Sequence, residues 1–256
     1  MALIAYTRDV SPTLADCELT HLEREPLDVA RAAAEHHAYE ALLSQLGATV
    51  SRLPAEPGLP DAVFVEDTAV VLDEIAVITR PGAVSRRPET SSVAAALAAH
   101  RPLARIEGPA TLDGGDVLVV GRRLYVGLST RSSRTAIEQL ATLLRPFDYE
   151  VVAVDFSGCL HLKSCVTQVG ENLLLLNPAW VDPSVFAGNR TVEVDPTEPH
   201  AGNALALGGA VIHSQHFPRT RARLEAAGLR VRPIALTELA KAEAGVTCCS
   251  LLVRGT

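Results

Sequence analysis

Hydrophobic and polar positions alternate in blocks along this chain, and one block order occurs five times. A short polar cluster leads into an apolar run, then a turn, then a second apolar run. The residues that open the five apolar pairs are Asp67, Asp116, Lys163, Asn203 and Cys249, spaced 40 to 49 residues apart. Repeats of this length are typical of propellers and arrays. The pattern therefore predicts five related units.

The paired apolar runs read as β-hairpins. In the first, runs at 68–72 and 75–79 flank Asp73 and Glu74, and later pairs turn at 121–122, 170–172 and 208–209. Gly, Asp and Asn in such short connections are hairpin signals, because they adopt the turn backbone at low cost.

A helix and a further strand follow most hairpins, which gives a β-β-α-β unit. Between 132 and 145, Ile137, Leu140 and Leu144 recur at helical spacing behind a serine suited to cap the helix. The same order predicts helices at 89–99 and 219–227, with closing strands at 103–106, 149–155 and 229–234. The third unit has only residues 181–189 where a helix is expected.

The fifth hairpin is incomplete, because a single apolar run at 251–253 follows the cysteines. An unpartnered apolar segment at 2–6 completes it, with a helix at 28–46 and a closing strand at 49–53. Closure of this kind removes exposed sheet edges. We predict an α/β ring of five units with adjacent chain ends, forming a single domain over residues 1–256.

Composition restricts the partners. The net charge of −7 argues against nucleic-acid binding and suits a small cationic substrate. No apolar run approaches the roughly 18 residues of a membrane span, and the first residues lack a secretion signal. We expect a cytoplasmic protein that binds no membrane. Its five cysteines then read as free thiols.

Carboxylates are concentrated at the first two polar clusters. Asp61, Glu66 and Asp67 fall within seven residues, and two or three carboxylates around a planar fork of N–H donors hold a guanidinium bidentately. The alternative for each one is a solvated acidic loop. Asp113 and Asp116 flank two glycines that permit a close approach or positive φ, although ordinary tight turns have the same composition.

A histidine and a thiol occupy equivalent positions in two other units. His161 can hold or release a proton near neutral pH, and Cys248 or Cys249 becomes a nucleophile once deprotonated. Taken alone, each residue is more often a packed or surface side chain. A closed ring brings them together, and a cysteine, a histidine and an orienting carboxylate are the arrangement for covalent catalysis.

Six segments, in order and over essentially the whole chain, carry a family resemblance. They are FVED at 64–67, TRPG and SRR at 79–82 and 85–87, LDGGDVL at 112–118, VGLS and an arginine at 126–131, LHLKS at 160–164 and TCCS at 247–250. The sequence resembles the dimethylarginine dimethylaminohydrolases of the guanidino-group-modifying superfamily. That implies a five-bladed α/β propeller of the pentein fold, without a cofactor. It also implies hydrolysis of Nω,Nω-dimethylarginine or Nω-monomethylarginine to citrulline and a methylated amine.

The resemblance also implies roles. By motif match Cys248 is the nucleophile, His161 the general acid and base, and Asp113 the carboxylate beside them. The remaining matches are substrate-binding positions: the acids Asp61, Glu66 and Asp67, the basic residues Arg86 and Arg131 at the amino-acid end, Leu19 in a mobile covering loop, and Ala242 in a loop whose backbone contacts the substrate amine. A covalent S-alkylthiouronium intermediate follows from thiolate attack. We hypothesise that the cationic substrate itself promotes thiolate formation.

Two other readings stay open at this stage. An arginine deiminase or amidinotransferase uses the same core, although the minimal repeats leave little room for the helical insertion usual in deiminases of free arginine. A metal-binding or redox-sensing module is the non-enzymatic reading, with Cys159, His161 and Cys165 on one face of a strand. The interposed Lys163 and the lack of a Cys-x-x-Cys pair weaken it, and we expect no metal. A monomer and a homodimer both fit the sequence.

Overall fold

Five three-stranded sheets form the fold of residues 3–255, the part of the chain that the computed structural model describes. The strands are β1 (Leu3–Arg8), β2 (Ala48–Leu53), β3 (Ala69–Val71), β4 (Ala76–Ile78), β5 (Leu103–Arg105), β6 (Val117–Val120), β7 (Arg123–Leu128), β8 (Glu150–Asp155), β9 (Val166–Gly170), β10 (Leu173–Leu176), β11 (Arg190–Glu193), β12 (Ala204–Leu207), β13 (Ala210–Ser214), β14 (Val231–Ile234) and β15 (Leu251–Arg254). The helices are α1 (Val29–Gln45), α2 (Thr90–Leu97), α3 (Arg134–Leu144), α4 (Leu162–Cys165), α5 (Pro218–Ala226) and α6 (Thr237–Ala240).

Every sheet contains one antiparallel and one parallel pair. The orders are β15-β1-β2, β3-β4-β5, β6-β7-β8, β9-β10-β11 and β12-β13-β14. In each, the first two strands are antiparallel and the last two are parallel. Helices α1, α2, α3 and α5 cross between parallel strands, as a parallel connection requires. The predicted five-bladed α/β propeller is confirmed.

Local sequence signals set the longer helices. The Asp28 carboxylate accepts a hydrogen bond from the Arg31 N–H at the start of α1, and Ser133 caps α3 in the same way through the Ala136 N–H. Gly47 follows α1 with a φ of +96°, a conformation that glycine adopts without a Cβ clash. The predicted apolar stripe of α3 is buried against β6 and β7.

The third unit has no long crossover helix. A 3₁₀ turn at Pro183–Phe186 joins β10 to β11 instead. Phe186 from this turn is 1% exposed and packs on Tyr125, with ring centroids 4.7 Å apart. Phe186 therefore packs between the second and third sheets, in a unit that has no crossover helix.

The inner strands begin one to three residues later than the pattern predicted. The polar clusters fold as 3₁₀ turns at Val65–Thr68 and Gly114–Asp116, or as the short helix α4, before the strand begins. In such turns the polar side chains converge near the strand ends instead of joining the ladders.

The ring closes where β15 pairs with β1, Leu3 lying opposite Arg254 and Tyr6 opposite Leu251. Strand β1 extends to Arg8, past the predicted segment 2–6, and residue 2 lies outside the described residues. The inner strands β3, β6, β9, β12 and β15 line a channel of about 640 Å³. Within residues 3–255, no helix has the length and apolar character needed to cross a membrane.

Candidate active site

The polar clusters surround a narrow cavity of about 20 Å³. Seven of the ten residues singled out by sequence line it: Asp61, Asp67, Arg86, Arg131, His161, Ala242 and Cys248. Asp113, Glu66 and Leu19 do not line it. The volume is close to that of one water molecule, so an arginine-sized ligand enters only when the surrounding loops move.

His161 lies between two carboxylates. Its Nε2 is 3.1 Å from Asp113 Oδ2, and its Nδ1 is 3.8 Å from Asp67 Oδ1. Burial favours the neutral ring, but the negative charges of Asp67, Asp113 and Asp116 outweigh that effect and raise the pKa of His161 to about 9. The imidazole is therefore protonated at neutral pH and can donate a proton.

Asp113 is fully buried and held in place by backbone. Its Oδ1 accepts a hydrogen bond of 2.9 Å from the Gly82 N–H, which leaves Oδ2 for His161. Its own N–H donates to Ser132 Oγ at 3.1 Å. These contacts fix the carboxylate that orients the histidine.

Asp116 supports the same histidine, a role that the sequence did not reveal. Its Oδ1 accepts from the Leu162 N–H at 2.9 Å, and its Oδ2 accepts from Ser129 Oγ at 2.6 Å. The first bond fixes the backbone directly after His161. Burial is the main cause that raises the pKa of Asp116. The signal for this residue was its symmetry with Asp113 across the glycine pair.

The glycine pair is explained by close approach, because neither residue has a positive φ. A Cβ on Gly114 would lie 2.0 Å from the Glu66 carbonyl oxygen. A Cβ on Gly115 would lie 2.6 Å from His161 Nδ1 and 2.7 Å from Asp67 Oδ1. Only glycine lets the second unit pack against the acids of the first and the histidine of the third.

The two adjacent cysteines face different surroundings. Cys248 is half-buried, lines the cavity, and its Sγ accepts a hydrogen bond of 3.3 Å from the Gly245 N–H. Cys249 is 1% exposed and packs in the apolar core. Burial and the charges of Glu66 and Asp67 raise the pKa of Cys248 to about 12. Cys248 is thus the thiol with access to a ligand, and it is protonated in the resting site.

Asp67 is paired with Arg86 and with the backbone of the glycine pair. Its Oδ2 accepts from Arg86 Nη1 at 2.6 Å, and its Oδ1 accepts from the Gly115 N–H at 2.9 Å. Burial alone raises its pKa, but the positive charges of His161 and Arg86 lower the pKa to about 2. Asp61 is different, because burial dominates and raises its pKa. Its carboxylate accepts from the Glu18 N–H at 3.1 Å.

Arg86 is engaged by the protein on all its nitrogens. Beyond Asp67, the guanidinium donates to the Glu89 carboxylate at 2.8 and 3.1 Å and to the backbone carbonyls of Asp61 and Phe64. Burial is the main cause that raises the pKa of Glu89, to about 7. Arg131 is less committed, with one side-chain contact of 3.0 Å to Thr20 Oγ1. Of the two arginines, Arg131 is the freer to bind an anion.

Glu66 faces away from the narrow cavity and lines the wide channel. Its two oxygens accept from Lys163 Nζ at 2.5 Å and from Thr247 Oγ1 at 2.7 Å. Its N–H donates to the Cys248 carbonyl at 3.1 Å. Glu66 therefore acts on Cys248 through its charge and its backbone.

The last two predicted site residues lie in loops. Leu19 is partly buried against the core formed around α1, and Ala242 lies in the turn after α6.

A candidate metal-binding group coincides with this site. Within residues 3–255, the only three His, Cys, Asp or Glu residues whose ligand atoms converge are Asp67, Asp113 and His161, with atoms within 4.8 Å. Cys159 and Cys165, the thiols of the metal-binding alternative, contact each other and donate to the His161 and Leu162 carbonyls, and they do not converge with the His161 ring. That alternative cluster does not form.

The chain is similar in sequence to several known proteins. A sequence profile described as N,N dimethylarginine dimethylhydrolase, eukaryotic, matches residues 20–184. The N(G),N(G)-dimethylarginine dimethylaminohydrolase of Streptomyces coelicolor is 37% identical over 98% of this chain and 96% of its own. The enzyme of that name from Pseudomonas aeruginosa is 33% identical over 88% of this chain and 89% of its own.

Solved structures show the same fold. A Pseudomonas aeruginosa dimethylarginine dimethylaminohydrolase in complex with citrulline superimposes with a TM-score of 0.94, at 30% identity over 99% of this chain and all of that one. The N-terminal domain of a cyanobacterial arginine dihydrolase has a TM-score of 0.90 at 21% identity over 100% of this chain and 98% of that one, and supports the fold alone. The chain belongs to the dimethylarginine dimethylaminohydrolase family.

Proposed function

We propose that this protein hydrolyses Nω-methylated arginines to citrulline and a methylated amine, with Cys248 as nucleophile and His161 as general acid and base. One observation carries the proposal: a half-buried thiol shares a narrow cavity with an imidazole that two carboxylates flank. Family membership supports the substrate class, because the related proteins carry this activity in their names.

The order of the two pKa values limits how the reaction begins. The pKa of Cys248 is about 12 and that of His161 about 9, so the thiol does not pass its proton to an imidazole that is already protonated. A bound guanidinium brings positive charge next to Cys248 and lowers its pKa. The thiol proton then leaves to solvent, and the substrate creates the nucleophile that attacks it.

In the first half-reaction the thiolate attacks the guanidinium carbon and forms a C–S bond. The π electrons of the C–N bond move to nitrogen, and His161 donates its proton to the methylated nitrogen. The C–N bond breaks with its electron pair on that nitrogen, and the neutral amine departs. A cationic S-alkylthiouronium remains, with the imidazole now neutral.

In the second half-reaction the neutral His161 accepts a proton from water, whose oxygen attacks the same carbon. The C–S bond breaks with its electrons on sulfur, and the hydroxyl proton passes to sulfur as the carbonyl of citrulline forms. The thiol and the imidazolium are both restored. Asp113 keeps Nε2 oriented through both proton transfers.

The charges that line the cavity suggest where each end of the substrate binds. Asp61 and Asp67 supply negative charge for the guanidinium, while Arg131 and Arg86, which line the same cavity, offer positive charge for the carboxylate. We propose that the Ala242 backbone contacts the α-amine and that the loop with Leu19 covers the bound substrate. Glu66 contributes indirectly, through its contact with Cys248. A small cationic amino acid is the partner that this charge pattern fits.

A citrulline assay with dimethylarginine, monomethylarginine and arginine tests the proposal. We expect release from the methylated substrates, a loss of about 10⁴-fold or more in Cys248→Ser, and retained activity in Cys249→Ser. An inactive Cys249→Ser beside an active Cys248→Ser would reverse the assignment of the nucleophile. Release from arginine alone would favour a deiminase, which the whole-chain relatives do not favour.

The proposal extends to location and assembly. We propose a cytoplasmic enzyme that needs no cofactor, and cell fractionation together with activity after chelation tests both points. Analytical ultracentrifugation distinguishes the monomer from the homodimer.

A further inference from the structure

The segment from Glu18 to Leu22, here called the lid segment, lies at the narrow cavity, and one carboxylate binds three of its backbone N–H groups. Glu243 Oε1 accepts hydrogen bonds from the N–H groups of Thr20, His21 and Leu22 at 3.1, 2.5 and 2.6 Å, and Oε2 also accepts from Thr20 at 3.1 Å. Three successive N–H groups that converge on one point form an anion-binding nest. Here the anion is a side chain from a turn more than 200 residues away.

Glu243 occupies an unfavourable backbone position to reach this nest. Its φ is +59°, in the left-handed region where residues with a Cβ other than Asn and Asp are uncommon. Such strain persists where surrounding contacts hold it in place, and it is concentrated at functional sites. The bonds to the lid segment are the contacts of the Glu243 side chain that offset this cost.

The turn that carries Glu243 also shapes the reaction site. Ala242 lies immediately before it and lines the narrow cavity, and Gly245 donates its N–H to Cys248 Sγ. Glu243 itself lines both the narrow cavity and a neighbouring cavity of about 220 Å³ beneath His21 and Leu22. The position of the lid segment is therefore tied to the backbone that surrounds the thiol.

The other lid contacts are fewer and more dispersed. The Glu18 N–H donates to Asp61, the Glu18 carboxylate accepts from Ser85 Oγ, and Arg131 donates to Thr20 Oγ1. Two of these partners, Asp61 and Arg131, are residues that we assign to the substrate. A bound substrate competes for them, whereas Glu243 stays available to the lid segment throughout.

We infer that Glu243 is the latch of the lid: a positioning residue whose carboxylate holds the lid segment shut over the narrow cavity. Since the closed cavity does not admit an arginine-sized molecule, the latch opens and recloses in each turnover. Because bound substrate takes over Asp61 and Arg131, the latch is then the main contact that keeps the lid segment closed over the substrate. The identity of that substrate rests on the proposed function, but the latch itself does not.

Amide hydrogen exchange measures the latch without any substrate. In Glu243→Gly, whose backbone adopts a positive φ without strain, and in Glu243→Ala, we expect the Thr20, His21 and Leu22 amides to exchange at least about 10-fold faster than in the unaltered protein. Glu243→Asp keeps the carboxylate, so its exchange rates at these amides should lie between those of the unaltered protein and those of the two other variants. Amides of β7 serve as the internal standard for global stability, and Glu23→Gln is the matched acid control in the same loop.

A kinetic measurement completes the test. With a methylated arginine, Glu243→Gly should raise KM about 10-fold and change kcat less than about threefold, because substrate retention is weakened while Cys248 and His161 are unaltered. Unchanged exchange at residues 20–22 in both Glu243→Gly and Glu243→Ala overturns the latch, whatever the activity. Faster exchange without hydrolysis of any methylated arginine would leave the latch standing and reject the proposed function instead.

Discussion

Glu66 links two spaces that differ in size and in chemistry: it lines the wide channel with Lys163 and Thr247, and its N–H donates to Cys248, which lines the narrow cavity. The wide channel holds about 640 Å³ and is lined mainly by aliphatic side chains of the inner strands. The narrow cavity holds about 20 Å³ and is lined by acids, arginines, His161 and Cys248. Three groups that line the smaller space, Asp67, His161 and Cys248, have strongly shifted pKa values.

The comparison shows why volume is a poor guide to a reaction site. A large space that is open to water shifts the pKa of its lining groups little, whereas burial beside fixed charges shifts them strongly. The same ring provides both environments, because each inner strand carries aliphatic residues along its length and polar residues at its start. Five predictions test this division between the two sides.

The largest effect should come from the narrow side, in Asp113→Asn. Loss of the hydrogen-bonded anion lowers the pKa of His161 from about 9, so the high-pH limb of the kcat/KM profile should move to lower pH. The rate should fall about 10³-fold. Asp155→Asn, an exposed carboxyl at the end of β8, is the control. An unmoved limb in Asp113→Asn would show that His161 does not supply the proton.

The pH dependence of the free energy of unfolding should also reflect the titration of His161. Because the folded-state pKa of His161 lies above its ordinary value of 6.5, its stabilising contribution is full below about pH 6.5 and is lost as the pH rises through about 9. Urea unfolding of wild type and Asp113→Asn between pH 6 and 10 measures the difference.

A bound substrate analogue should lower the pKa of Cys248 from about 12 by roughly two units, about a hundredfold in thiolate at a given pH. Thiolate absorbance near 240 nm, measured against pH with and without the analogue, reports the shift. Cys248→Ser supplies the background from the other thiols. A pKa that the analogue leaves unchanged would reject substrate-assisted activation.

Breaking the boundary between the two spaces should affect stability more than chemistry. Lys163→Met leaves the Glu66 carboxylate with Thr247 as its remaining side-chain partner and should cost about 3 kcal/mol in unfolding free energy. Removal of the positive charge should also raise the pKa of Cys248 further and slow its alkylation. The double variant Lys163→Met with Glu66→Gln should recover part of the stability. If Lys163→Met alone costs nothing, the ion pair is not the boundary we describe.

The smallest effect should come from the wide side. Ala206 is exposed on β12 and lines the wide channel, so Ala206→Gln should change kcat and KM less than about twofold. Ala242→Gln makes the same change in the narrow cavity and should raise KM strongly. Equal effects of the two substitutions would remove the distinction between the spaces.

The ring was predictable from sequence because its cause is periodic. Apolar runs separated by Gly, Asp or Asn turns specify each hairpin locally. The unpartnered segments near the two ends of the chain then have only each other as strand partners. The exact starts of the inner strands were not predictable. Whether Asp67 joins a strand or a 3₁₀ turn, and whether Lys163 joins a strand or the short helix α4, depends on side-chain contacts with other units.

The sequence predicted most of the residues that form the site, but few of the contacts between them. Cys248 and His161 were brought together by symmetry of the units, but the sequence did not show that Gly115 is required by a ring 46 residues away. Arg86 reads as a substrate ligand, and its three-residue spacing from Glu89 was the local sign of an internal ion pair. Glu243 has no motif, because its partners are backbone N–H groups.

The pairing of β1 with β15 distinguishes one sheet from the other four. Those four join segments that are close in sequence, whereas this one joins Leu3 to Arg254 and pays a much larger loop-closure entropy. Cys248 precedes β15 by three residues, so the thiol reaches His161 only when this most non-local contact forms. We therefore expect catalytic turnover to depend on the closed ring. A molecule whose β1–β15 pairing is open should be inactive although its other four sheets are intact.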